Sequence, residues 1–170
     1  MQIAIFSDSH DNLAGVDRAL AAAKAADAQA LLHCGDLCAP FVLDRLVAGF
    51  AGPIHVVFGN NDGDGRLLQT IAQKYPQIHL HGIYAEVTLG GIEAGLIHYP
   101  EPALRIAQSG RLDLVAYGHN HMKKVEIVEN SVDKSCVLVN PGEILGMRGK
   151  PTVAFYNSAT RVCELEELGL

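Results

Sequence analysis

Five short segments of the chain concentrate residue types that bind metals. They are Asp8-Ser9-His10, Gly35-Asp36, Gly59-Asn60-Asn61-Asp62, His98, and Gly118-His119-Asn120-His121. Carboxylate, imidazole and amide groups together form a mixed nitrogen and oxygen donor set, which favours Mn, Fe, Zn, Co or Ni over calcium. Each segment alone has an ordinary explanation. Asp-x-His is common, Gly-Asp is often a turn, and Asp62 or Asp64 can cap a helix. A lone His98 reads as a satisfied core histidine, and Asn60 and Asn61 suit a turn. The conjunction carries the weight, because all five segments follow a short apolar run. His119 and His121 differ by two, so on an extended segment they point the same way and can serve adjacent metals.

The elements that must position these groups follow from the apolar runs. IAIF (3–6), ALLHC (30–34) and IHVVF (54–58) alternate with helical patterns. The first helix is expected over about 13–26, with Val16, Ala19, Leu20 and Ala23 on one face and Asp11 or Asn12 as cap. The second has Pro40 in its first turn and Gly49 at its end, and the third runs over about 66–74 until Pro76. This is a βαβαβα order of parallel strands covered on both faces. The second half reads as strands over 84–89, 92–98, 114–117, 123–128, 135–140, 152–157 and 161–166, more antiparallel in character. A hairpin turn is expected at Gly90-Gly91 and one helix over about 103–108. The expected fold is α/β: two packed mixed β-sheets flanked by helices, an αββα sandwich, in a single domain over 1–170. In open α/β sheets ligands bind beyond the carboxyl ends of the strands, so five such ends side by side would gather the five segments in one crevice.

The 170 residues are 49% hydrophobic and 19% charged, with a formal net charge of −6. That balance argues against sequence-independent nucleic-acid binding, which needs a basic surface. Lys123, Lys124, Arg148 and Lys150 read as a solvated face. No apolar run approaches a membrane span, and Met1-Gln2 has no basic region of a signal peptide, so the expected compartment is the cytoplasm. The four cysteines show no framework spacing and read as free thiols, with Cys34 and Cys38 a weaker metal or redox pair. His33 and His55 read as packing or supporting groups, and His79 and His81 as non-ligands. Glu143 and Arg148 can approach the crevice, although loop charges of this kind are usually just solvated.

The ordered motifs DSH (8–10), GD (35–36), GNND (59–62), His98 and GHNH (118–121), with Asn140-Pro141-Gly142 after them, resemble the calcineurin-like metallophosphoesterase superfamily. They look closest to its small single-domain phosphodiesterases of the YfcE type, which share the Vps29-like fold. By that resemblance Asp8, His10, Asp36 and His121 bind one divalent metal, and Asp36, Asn60, His98 and His119 a second, with Asp36 bridging. The resemblance implies manganese, with Fe, Zn, Ni, Co or Mg as substitutes. It also implies catalytic roles around Asn61, His98 and His119. A metal-bridging hydroxide would then attack a small-molecule phosphoester. Two divalent ions offset by Asp8, Asp36 and hydroxide leave one formal positive charge, which suits a monoanionic diester.

Two positions depart from the family pattern. Asn61 stands where many members have a histidine, and an amide cannot act as a general acid. Tyr99-Pro100 follows His98 where Gly and a second His are common. Two alternatives follow: a catalytically weak scaffold that binds a protein partner, for which Vps29 is the family precedent, and a small-metabolite phosphomonoesterase. No membrane partner is expected, and a homo-oligomer is compatible with the sequence.

Overall fold

The computed structural model describes residues 1–130 and 134–169, so four residues of the expected 1–170 span lie outside it. Two sheets form its centre. The first has the order β11-β10-β1-β2-β3-β4 and the second β5-β6-β7-β9-β8. In the first sheet β1 (Gln2–Phe6), β2 (Ala30–His33), β3 (Ile54–Val56) and β4 (Ile78–Leu80) run parallel. The last strands return to extend this sheet: β10 (Thr152–Asn157) lies antiparallel to β1, and β11 (Val162–Glu167) antiparallel to β10. In the second sheet β6 (Ile92–Ile97), β7 (Leu114–Ala116) and β9 (Cys136–Asn140) are parallel, and β5 (Tyr84–Leu89) and β8 (Lys124–Val128) form antiparallel edges. The second half is therefore more parallel than its alternating pattern suggests.

Strand alternation assigns the layers. Ile3 and Ile5 of β1 face the second sheet and pack with Leu96, Leu114 and Val139, whereas Ala4 and Phe6 face outward onto helices. That outer layer is α1 (Leu13–Ala25), α2 (Phe41–Gly49) and α3 (Gly65–Ala72). The free face of the second sheet is covered by α4 (Pro100–Ala107), through Ala103 and Ala107 against Val115 and Leu138. This is the expected αββα sandwich. Burying β1 on both faces explains its unbroken apolar run.

Local chemistry sets the boundaries. Asn12 caps α1 by accepting from the Gly15 N–H at 3.0 Å, and Asp64 caps α3 by accepting from Leu67 at 3.0 Å. Gly90 and Gly91 both have positive φ, as a two-residue hairpin turn between β5 and β6 requires. Two expectations need correction. Residues 78–80 form β4, which three residues with a histidine at the centre did not signal. The helix expected from Ala103 begins at Pro100, because prolines in a first turn remove only N–H groups that have no helical partner. All four cysteines are free thiols. No described helix is long and apolar enough to cross a membrane.

Candidate metal centre

The loops after β1, β2, β3, β6, β7 and β9 meet at one edge of the sandwich, joined by backbone bonds. Asp8 N–H donates to Gly35 O at 3.1 Å and His10 N–H to Asp36 O at 3.0 Å, which ties the first loop to the second. Gly118 N–H donates to His98 O at 3.0 Å, and Ile144 and Leu145 donate to Ser7 and Asp8 carbonyls at 3.1 and 3.0 Å. Close approach leaves no room for side chains at the crossing points. A Cβ on Gly59 would stand 2.1 Å from Asp36 Oδ1, and one on Gly118 1.9 Å from Ser7 Oγ.

Within this frame all seven candidate ligands converge. Asp8 Oδ1 lies 3.8 Å from His10 Nε2 and 3.3 Å from His121 Nε2. Asp36 Oδ2 lies 3.5 Å from His10 Nε2 and 3.4 Å from His98 Nε2, so one oxygen faces both halves of the cluster. Asn60 Oδ1 is 3.1 Å from His98 Nε2 and 2.9 Å from His119 Nδ1. Two groups able to hold an ion emerge, Asp8-His10-His121 and Asp8-Asp36-His98. Asp8, His10, Asp36, His119 and His121 all have φ between 40° and 74°. The left-handed region is unfavourable for such residues, at about 1–3 kcal/mol each, and this strain is concentrated where the polar groups meet.

Hydrogen bonds around the cluster fix which nitrogen atoms face inward. His98 Nδ1 is 2.8 Å from the Cys34 carbonyl, which can only accept, so Nδ1 carries the proton. His121 Nδ1 likewise donates to Glu143 Oε2 at 2.5 Å. With Nδ1 so engaged, Nε2 of each ring faces oxygens that are themselves acceptors. Asp8 Oδ1 and His10 Nε2 are buried with no hydrogen-bond partner. Lone pairs pointing at one another in a buried space require a cation or a proton between them. The titration behaviour expresses the same demand. Asp8 holds the His10 ring above its ordinary pKa. Burial would lower that of His98, yet Asp36 raises it overall. Asp36 itself, despite burial, is held well below the usual carboxylate range by His98 and by Asn61.

Supporting residues complete the site. Asp62, which the sequence places in the third motif and also offers as a helix cap, accepts from the backbone N–H groups of Asp36, Cys38 and Gly59 at 3.0, 2.7 and 2.7 Å. It joins the loops after β2 and β3, and Asp64 does the capping. Asn61 donates to Asp36 twice at 2.8 Å, through its backbone N–H to Oδ1 and its amide to Oδ2. Its amide is therefore directed at the carboxylate. Glu143 is buried against His121, contrary to a plain loop charge. The signal available was its place directly after Asn140-Pro141-Gly142. Asn140 donates to Gly118 O and Asn120 Oδ1, both at 2.9 Å, and so steadies the segment that bears His119 and His121. His33 accepts from Gly35 N–H and lies 3.3 Å from Ser9 Oγ, and burial lowers its pKa to about 4, so it supports the site as a neutral ring. His55, His79 and His81 stack on one another away from the cluster.

A two-sheet sandwich with Asp, Asn and His from five strand ends in one crevice defines a class, and comparison with known proteins agrees. Residues 1–161 match the calcineurin-like phosphoesterase superfamily domain, and the chain belongs to that superfamily. It is similar to phosphodiesterase MJ0936 of Methanocaldococcus jannaschii, at 27% identity over 161 residues covering 93% of each chain. Among solved structures, an archaeal phosphodiesterase superposes with a TM-score of 0.88 at 27% identity, covering 99% of this chain and all of the other. The fold is shared with the phosphoesterase Yfce from E. coli, at TM-score 0.67, 18% identity, and coverage of 99% and 100%. It is shared as well with Vps29 from Chaetomium thermophilum, at TM-score 0.61, 17% identity, and coverage of 99% and 95%.

Proposed function

We propose that this protein is a metal-dependent phosphodiesterase using two divalent ions, with manganese as the working metal. Asp8, His10, Asp36 and His121 would hold one ion, and Asp36, Asn60, His98 and His119 the other. The observation that carries this reading is the pair of inward-facing lone pairs on His98 and His121. The Nδ1 proton of each ring is committed to Cys34 O or Glu143, which leaves Nε2 facing inward as the atom that would ligate a cation. When bound, two such ions lower the pKa of water toward about 7 and offset charge on the phosphoryl oxygens.

The chain's own residues orient and exclude. Glu143 fixes the tautomer of His121, Asn61 holds both oxygens of Asp36, and Asp62 locks the two loops that carry Asp36 and Asn60. His119 is exposed beside Asn60, 2.9 Å from its Oδ1, and in this reading would meet the phosphoryl group. The Asn61 amide cannot protonate the leaving oxygen, so acidic leaving groups are favoured.

The experiment is metal analysis of the purified protein followed by assay of matched aryl phosphodiesters and monoesters in manganese. Two ions per chain and at least about tenfold higher kcat/KM for the diester are expected. One ion or none at saturation, or a monoester preference, would overturn the reading.

A further inference from the structure

His121, whose Nε2 lies 3.3 Å from Asp8 Oδ1, also lines a cavity of about 500 Å³ beside the metal cluster. The same cavity is lined by Lys123, Arg148, Lys150, Glu143 and Glu167, together with the exposed Met122. Its volume falls in the range of small-ligand pockets. In a chain of net charge −6, three cations meeting beside the site is the opposite of the average surface.

The acids of this cavity are already committed. Glu143 receives the His121 ring proton on one oxygen and the Arg148 backbone N–H on the other. Glu167 sits between two ammonium groups, Lys123 at 2.7 Å and Lys150 at 3.0 Å. One carboxylate cannot neutralise two lysines. The guanidinium of Arg148 has no carboxylate partner among the described residues. Its contact is a long one, 3.5 Å, to the carbonyl of Asn120, between His119 and His121. A guanidinium with free donors beside two partly balanced ammonium groups is suited to a phosphate, which it can grip through two parallel bonds.

Resting on the phosphodiesterase reading above, we infer that this cavity binds a second phosphate of the substrate. The substrate class is a phosphodiester in which one alcohol arm ends in a phosphate monoester. The scissile phosphorus sits at the metal cluster, and the arm passes His121 so that its terminal phosphate meets Arg148, with Lys123 and Lys150 adding charge. The terminal phosphate is a recognition group and is not cleaved. Exposed polar groups of this kind discriminate between substrates through charge and geometry, which a diester with a neutral arm cannot exploit.

The test uses the manganese-loaded full chain and p-nitrophenyl phosphodiesters with the same leaving group. The second arm is an alkyl chain of varied length ending in hydroxyl, carboxylate or phosphate. In the wild type the phosphate arm should raise kcat/KM over the hydroxyl arm by about tenfold or more at low salt, at an optimal chain length. Arg148→Ala should bring that ratio to within about twofold of unity, and Arg148→Lys should restore part of it. Lys150→Ala, at a largely exposed side chain, should reduce the ratio to an intermediate value. Equal rates on hydroxyl and phosphate arms would overturn the pocket alone, because cleavage of the hydroxyl arm still supports the diesterase. A phosphate preference that survives Arg148→Ala would also overturn it, as would a carboxylate arm that gains as much as the phosphate. No cleavage of any arm would overturn the diesterase reading and the pocket with it.

Discussion

Nδ1 of His121 lies 2.5 Å from Oε2 of Glu143, at the junction of the loops that follow β7 and β9. The contact determines the tautomer of His121 and aims its Nε2 at Asp8 Oδ1, 3.3 Å away. A carboxylate behind a ligating imidazole raises its basicity and holds its ring plane. Glu143→Ala should therefore weaken metal binding in the Asp8-His10-His121 group by about 10–100-fold, and Glu143→Gln by less. Competition with a chromophoric chelator measures this directly. Unchanged affinity in Glu143→Ala would mean that the contact only packs the loop.

Asp36 Oδ2 stands between His10 and His98, so its removal should be felt by both of the proposed ions. Asp36→Asn is expected to lose occupancy of both sites and to reduce diester hydrolysis by about 10²-fold or more. His119→Ala and His121→Ala should instead deplete different ions, which anomalous scattering can distinguish. Full occupancy and normal turnover in Asp36→Asn would exclude a bridging role.

Asn61 spends its amide on Asp36 and has no proton to give a leaving group. The rate should therefore rise steeply with leaving-group acidity, with aryl diesters good substrates and alkyl diesters poor ones. Asn61→His should flatten the slope by recovering part of the roughly 10²–10⁴-fold that general acids supply, mostly for alkyl esters. The check is a diester series spanning leaving-group pKa, run on both proteins with metal content matched. Identical slopes would leave Asn61 solely as the residue that positions Asp36.

The stacked histidines on β3 and β4 predict a pH dependence of stability separate from the metal site. Burial, aided by His79 and His81, lowers the His55 pKa to about 4, and burial lowers that of His81 too. The folded state thus prefers neutral rings. Above about pH 6.5 both folded and unfolded chains hold them neutral, and the stability is fully present. As pH falls from about 6.5 toward about 4 only the unfolded chain takes up the proton, so stability is lost. Each such proton contributes a slope of up to about 1.4 kcal/mol per pH unit. Urea unfolding at several pH values, in excess chelator to keep metal release out of the slope, should show a shallower dependence for His55→Leu. An unchanged slope would place the proton uptake elsewhere.

Much of this protein is dictated by its sequence alone. Period and punctuation mark β1 to β3 with their helices, because buried parallel strands need unbroken apolar runs and helices need caps. The ligand types and their place after strands are equally local, since DSH, GD, GNND, His98 and GHNH each follow an apolar run. Three residues of β4 and the proline-led start of α4 escaped because so short a strand, or two prolines in a first turn, carries too little periodic signal.

What only the tertiary structure decided is how distant groups pair. β10 and β11 cross back to the first sheet because β1 offered an open edge, and no local pattern records which edge a strand will join. Asp62 became the clasp between two loops, and Asp64 the cap, through the approach of loops some 25 residues apart. Glu143 acquired its partner across 22 residues, and Arg148 its place beside His121, when the loops after β7 and β9 folded against one another. Residue type sets what a side chain is able to do. Which neighbour it does it with depends on contacts far apart in the chain, and those exist only once the two sheets have packed.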